Sequence, residues 1–268
     1  MVESEAAIVD YSEVTELPGQ PITGEQLARL HHRYGWALSF VAGRDVVECA
    51  CGAGPGLGAL SRAARSLAAG DLDESMVARV RAHYGDRVRA ERFDAESLPF
   101  PSSSKDVIIL FEAIYYLPNP VHFVRECSRV LRPGGHVLIA TANKDLWDFH
   151  PSAKSRLYFG VEELEELFKG AGFRADVFGF QDVRQVSWRQ RVLRPVKRVA
   201  VALNMIPRSM AGKRWLKRIV FGNETLMPAE ISVDGSLASV PIALAAGQPD
   251  RHHKILYCVA QRSGERNA

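Results

Sequence analysis

The 268-residue sequence has few cysteines, no long apolar run and, over one stretch of its length, no acid at all. Its four cysteines are Cys49, Cys51, Cys127 and Cys258, and only the first two are neighbours. A C-x-C pair is not a zinc-ligand spacing, and four scattered thiols do not make a disulfide framework. Without 18 consecutive apolar residues, no segment is expected to span a membrane. The opening MVESEAAIVDYSE is acidic and lacks an apolar core, so it does not read as a signal peptide, and the expected location is the cytoplasm. No internal repeat or low-complexity tract argues for a solenoid or a linker array. From Val183 to Asn223 there are eleven Lys or Arg and no Asp or Glu, which leaves 23 basic against 31 acidic residues elsewhere. A block of one sign speaks of a partner or a surface, not of a fold.

What is present is enough for one substantial core, with 47% hydrophobic and 24% charged residues. Residues 1–22 hold Pro18, Gly19 and Pro21 and read as an arm. Thr23 with Gln26 three positions on forms a capping box, so a helix is expected to about residue 41. Strands are expected at 45–50, ending near 71, at 87–93, 106–111, 136–141, 174–180 and 254–260. Helices are expected at 57–66, 74–83, 120–131 and 161–171. Alternating strands and helices imply an α/β fold with a mainly parallel, doubly wound sheet.

In such a sheet, ligands sit beyond the carboxyl ends of the strands, and four features fall there. The first is Glu48-Cys49-Ala50-Cys51-Gly52-Ala53-Gly54-Pro55-Gly56, whose glycines let backbone approach a ligand. Taken alone, Gly54-Pro55-Gly56-Leu57-Gly58-Ala59 also fits the G-x-G-x-x-A form of a dinucleotide site, so a nicotinamide-dependent dehydrogenase is the rival reading. The second is Asp71, fifteen residues past Gly56, an acid able to accept both ribose hydroxyls, with Asp73 close enough to substitute. The third is Asp94-Ala95-Glu96, a carboxylate followed by a backbone N–H that together match the edge of adenine. The fourth is the turn Leu131-Arg132-Pro133-Gly134-Gly135 into a strand.

The series VVECACGAGPG, GDLDESMV, FDAESLPFP, DVIILFEAIYYL and LRPGGHVLI resembles the class I, Rossmann-like S-adenosylmethionine (SAM) dependent methyltransferases. Within them it is most similar to the small-molecule branch that includes sterol and quinone methyltransferases. The resemblance runs from about residue 46 to 141 and more loosely to 180. It implies a seven-stranded sheet whose last strand is antiparallel, with S-adenosyl-L-methionine as the cofactor. It also implies that Gly52 and Gly54 line the methionine moiety, with Glu48 facing its ammonium. Asp71 and Leu72 would serve the ribose and its surroundings, Asp94 and Ala95 the adenine, and Phe111, Glu112 and Ala113 the sulfonium. The chain departs from the pattern at Ala50, where the family has glycine; Ala50 is still counted with the cofactor residues.

Catalytic candidates follow from position. His150 lies just beyond the fifth expected strand, where an imidazole could take a proton from a hydroxyl acceptor. Asp148 is placed to orient it. Glu112 and Tyr115 follow the fourth strand and are the other candidates. His31, His32, His122, His136, His252 and His253 carry less positional argument. The expected organisation is an arm and cover helix at 1–42, a SAM-binding core at 43–180, a basic substrate cap at 181–253, and a final strand and tail at 254–268. At helical spacing, Lys213, Arg214, Lys217 and Arg218 share one side of a cap helix, and Trp215, Leu216, Ile219 and Val220 the other. The partner is expected to be a small-molecule acceptor. The plain reading of the block is a packed cap helix whose basic face is only solvated; alternatively it serves that acceptor, with an anionic sugar, lipid or natural product fitting its charge. Peripheral membrane contact by a SAM-binding protein without turnover is a further alternative. No nucleic-acid-binding motif accompanies the basic charge.

Overall fold

The computed structural model describes residues 16–152, 154–185, 224–233 and 240–264. The chain enters through a short strand β1 (Pro21–Thr23) and helix α1 (Gly24–Val41). Thr23 caps α1, its hydroxyl accepting from the Gln26 N–H at 3.2 Å while the Gln26 side chain returns to the Thr23 N–H at 3.1 Å. There follow β2 (Asp45–Cys49), α2 (Leu57–Ala63), β3 (Ser66–Asp71), α3 (Glu74–Tyr84), β4 (Arg89–Arg92) and β5 (Lys105–Phe111). The second half holds α4 (Pro120–Val130), β6 (Leu131–Ala142), α5 (Val161–Lys169) and β7 (Phe173–Asp182). Three strands complete the described chain: β8 (Glu224–Leu226), β9 (Ile242–Ala243) and β10 (His253–Arg262).

The main sheet has the order β4-β3-β2-β5-β6-β10-β7-β9. Strands β2 to β6 run parallel, and β10 inserts antiparallel between β6 and β7. This is the expected doubly wound sheet with an antiparallel last strand. It has eight strands rather than seven because Ile242–Ala243 adds a two-residue edge strand to β7. A separate ribbon pairs β1 with β8.

Each helix buries one stripe. On α4 the buried positions Phe123, Val124, Cys127 and Val130 recur at helical spacing, and Asn119 caps the helix just before Pro120. Helices α4 and α5 pack on one face of the sheet with Leu110, Ile139 and Leu256. Helices α1, α2 and α3 pack on the other with Val46, Ile109 and Tyr257. The four cysteines are all buried thiols.

Several boundaries differ from expectation. Strand β6 begins at Leu131, five residues early, because the Pro-Gly-Gly turn is absorbed into the strand, with a register shift against β5 between Lys105 and Val107. Helix α2 stops at Ala63, since the chain must turn back to start β3 at Ser66. Within the expected cap, Asp182 still belongs to β7 and His253 to β10. The basic block beyond residue 185 lies outside the described residues. Among the described residues, no helix is long and apolar enough to cross a membrane.

Candidate functional site

The chain lays β3 and β4 to one side of β2 and β5 and β6 to the other, so the carboxyl ends of β2 and β5 open a crevice at the switch point. The turn after β2 enters it with Ala50 at φ +52°, followed by Gly52 at +54° and Gly54 at +72°. A left-handed conformation costs an alanine about 1–2 kcal/mol, which explains why glycine suits position 50 better. Glu112, at +51° directly after β5, and Gln181, at +61° near the end of β7, are non-glycine residues in the same region of φ. Strained backbone gathers where a site over-determines it.

Glu48 closes β2 and is almost fully buried. The Tyr34 hydroxyl on α1 donates to its Oε1 at 2.6 Å, while its Oε2 is buried without a partner. Burial pushes the Glu48 carboxyl up to about 7, against the opposing pull of the Tyr34 hydrogen bond and the Arg33 charge. Tyr34 also fixes the turn sterically, because a Cβ on Gly56 would stand 2.2 Å from its ring. The Tyr84 hydroxyl donates to the Gly54 carbonyl at 2.7 Å from the other side.

Asp71 ends β3 beside the turn. Its two oxygens accept the N–H groups of Gly52 at 2.9 Å and of Asp73 at 3.0 Å. Burial raises its pKa, and those backbone hydrogen bonds moderate the rise. Asp73 is instead the cap of α3, accepting the Ser75 N–H at 2.8 Å, so it is committed elsewhere. The next side chain, Leu72, is 51% exposed, an apolar surface offered beside the site. Past β4, Asp94 is exposed and accepts the Glu96 N–H at 2.8 Å, with Ala95 buried behind it.

Of the three catalytic candidates, the structure brings two together. The Tyr115 hydroxyl donates to Glu112 Oε2 at 3.1 Å. Burial raises the Glu112 carboxyl, and the charges of Arg33 and Arg29 on α1 oppose it. Burial also pushes the Tyr115 phenol well above its usual value, with the Glu112 charge adding to the rise. His150 stands exposed on the loop after β6, and no hydrogen bond joins it to Asp148. That loop nonetheless folds against Tyr115: Phe149 packs edge-on to Tyr158, which stacks on Tyr115 with centroids 5.0 Å apart. Phe111, buried, lies at the end of β5 and contacts Tyr34 edge-on at 5.5 Å.

Other residues at this edge had no sequence motif. Arg33 Nε, Gln181 Oε1 and His253 Nε2 are buried without partners, as is Glu48 Oε2, and these are all such side-chain atoms among the described residues. Gln181 lies near the end of β7 and His253 starts the antiparallel β10, so with Glu48 three of these atoms belong to one edge, while Arg33 on α1 feels the Glu112 charge. His253 Nδ1 lies 3.1 Å from Asp250, and Asn143 binds the Asp250 carboxylate and the His253 carbonyl. The four positions are separated by more than two hundred residues of chain, so only the fold assembles them.

Glu48 near the end of β2 and Asp71 at the end of β3 thus stand at one crevice of a doubly wound, Rossmann-like sheet. Residues 47–139 match the family model described as a methyltransferase domain. A "Probable S-adenosylmethionine-dependent methyltransferase" of Mycolicibacterium smegmatis is 39% identical over 55% of this chain and 56% of its own length. The 27-O-demethylrifamycin SV methyltransferase of Amycolatopsis mediterranei is 32% identical over 43% of this chain and 44% of its own. The chain spans about half the length of the curated relatives it matches. The solved structure of YcgJ from Bacillus subtilis superposes with a TM-score of 0.55 at 19% identity, covering 87% of this chain and 99% of that one, which shows the shared fold.

Proposed function

We propose that this chain transfers the methyl group of S-adenosylmethionine to a small-molecule hydroxyl acceptor. The observation that carries the reading is the buried, partnerless Oε2 of Glu48 beside the glycine turn of a methyltransferase domain. An unpaired buried acid is costly unless a cation completes it, and the cofactor's ammonium is such a cation. The same carboxylate would repel the pyrophosphate of a dinucleotide, which disfavours a dehydrogenase.

Bound there, S-adenosylmethionine supplies an electrophilic methyl group. Asp71 holds the ribose hydroxyls while pinning Gly52, and Leu72, Asp94 and Ala95 hold the adenine end. Gly52 and Gly54 receive the methionine portion. Glu112 and Tyr115 face the acceptor: the raised carboxyl is poised to take the hydroxyl proton, and the phenol fixes its orientation. Exclusion of water and alignment of the nucleophile supply the remaining catalysis. Oxygen as the acceptor atom is favoured by this acid–base pair and by the name of the Amycolatopsis relative. The acceptor is anionic, drawn by the eleven basic residues between Val183 and Asn223, and the protein works in the cytoplasm. Residues 181–253 are proposed to contribute the acceptor's cap.

The test is transfer from methyl-labelled SAM into a cell extract, with mass spectrometry of the labelled product. A labelled small molecule with a new methoxy group is expected. No labelled product, or oxidation of NAD(P)H instead, overturns the reading.

A further inference from the structure

Two segments distant in sequence form a strap across the back of the glycine turn. Strand β1 pairs with β8 from Pro21–Leu226 to Thr23–Glu224, and the ribbon is extended by Gly19 N–H to the Met227 carbonyl at 2.8 Å and Met227 N–H to that of Gln20 at 2.9 Å. Beyond it, Met227 and Ile231 are buried in the cluster that holds Tyr34, Leu57 and Tyr84. The Ile231 N–H donates to the carbonyl of Pro55, inside the turn itself, at 2.8 Å. Between these apolar anchors stands a carboxylate. Glu230 reaches Arg62 on α2 at 2.8 Å, His83 on α3 at 3.4 Å and Arg87 just past α3 at 3.3 Å. It is pressed so close to α2 that a Cβ on Gly58 would fall 1.8 Å from Oε1. The strap and the turn line one recess, with Pro18 and Ala229 on one side and Ala53 on the other.

We infer that Glu230 is a positioning residue for the cofactor, acting through the glycine turn. A strap needed only to cover apolar surface would be served by Met227 and Ile231. Glu230 instead ties together the two helices that flank the turn, and it does so from a segment that the sequence assigns to the acceptor side. The Pro55 hydrogen bond then fixes the turn's own backbone. Binding is tightest when the receiving conformation is already populated, and apparent affinity falls in proportion to the fraction lost. The inference rests on the SAM reading above.

The experiment is calorimetric titration of the full chain with S-adenosylhomocysteine. The proteins compared are wild type, Glu230→Gln and the Arg62→Gln/Arg87→Gln double variant. Both variants are expected to bind roughly tenfold more weakly, and combining them should add little, because one network is broken twice. The turnover rate at saturating SAM should stay near wild type, so the effect appears in KM for SAM rather than in kcat. Molar salt should narrow the gap between wild type and variants. Affinity within twofold of wild type in both variants overturns the inference, as does a loss confined to kcat. Should Glu230→Gln fail to fold, the double variant, altered only at half-exposed arginines, decides the matter. A wild type that binds no S-adenosylhomocysteine overturns the SAM reading and this inference together, whereas tight binding by all three proteins overturns this inference alone.

Discussion

At the edge where the parallel strands begin, Asp45 and Asp106 are ion-paired with Arg65 and Arg132; at the edge where they end, Glu48, Asp71 and Glu112 make no ion pair among the described residues. On the first edge, Arg132 bonds Asp106 at 2.7 Å and Asp45 at 3.1 Å, and Arg65 bridges the same two acids. The Arg65 hydrogen bond holds the Asp45 carboxyl far below its usual range. Burial works against Asp106, yet the Asp45 N–H and Arg132 keep it low. On the second edge, burial raises all three carboxyls, and Glu48 Oε2, Gln181 Oε1 and His253 Nε2 are buried there without partners. The same residue types in one sheet thus serve stability at one end and are left incomplete at the other. An incomplete edge is where a charged ligand gains most.

The sharpest way to break this comparison is to remove a group that needs the ligand edge incomplete. Glu112→Gln should lower kcat by about 10²–10⁴-fold, the range of general-base assistance, while SAM affinity stays within twofold. If His150→Ala does this instead and Glu112→Gln does not, the proton goes to the loop after β6. Asp71→Ala should come next in size. It removes two charge-assisted hydrogen bonds to ribose, each worth about 1.5–3 kcal/mol, so SAM should bind a hundredfold or more weaker by calorimetry.

Smaller effects sharpen the contrast. Ala50→Gly relieves a left-handed alanine and should raise stability by about 1 kcal/mol, or some 2–4 °C in Tm, with SAM binding retained. The smallest change is expected at the opposite edge. Arg132→Gln should cost less than about 1 kcal/mol, since the arginine is partly exposed and screened. Asp45 and Asp106 have depressed folded pKa values, so their contribution is present above the ordinary carboxylate range and is lost as pH falls through the folded values. Denaturant titration should therefore show the variant's deficit at pH 7 and its shrinkage at strongly acid pH, with SAM affinity untouched.

The sheet was largely legible because buried strands such as Val107 to Phe111 read as short apolar runs between turn residues, and the capping box at Thr23 marked α1. Strand β9 was not, because two residues carry no period, and neither was the β1–β8 ribbon, whose partners are two hundred residues apart. In the site, Glu48, Asp71 and the glycine turn were visible because the chemistry sits in contiguous motifs. Tyr34 and Arg33 were hidden: on a helix, an aromatic at a buried position reads as core, and only the fold brings its hydroxyl to Glu48. Glu230 was hidden for the same reason, an acid just past a basic block whose partners lie on α2 and around the end of α3.

The central claim is that the ligand edge holds a buried acid in waiting for a cationic cofactor. Burial pushes the Glu48 carboxyl up to about 7, and a bound ammonium would favour its ionised form, so binding below neutrality is expected to release a proton. Calorimetry of SAM binding from pH 5.5 to 8, in two buffers of different ionisation enthalpy, measures that proton directly. The account predicts release approaching one proton from Glu48 below pH 7, fading above it, with affinity rising over the same interval and that part of the linkage lost in Glu48→Gln. Absence of SAM binding, or binding whose proton release is the same in wild type and Glu48→Gln, would contradict it.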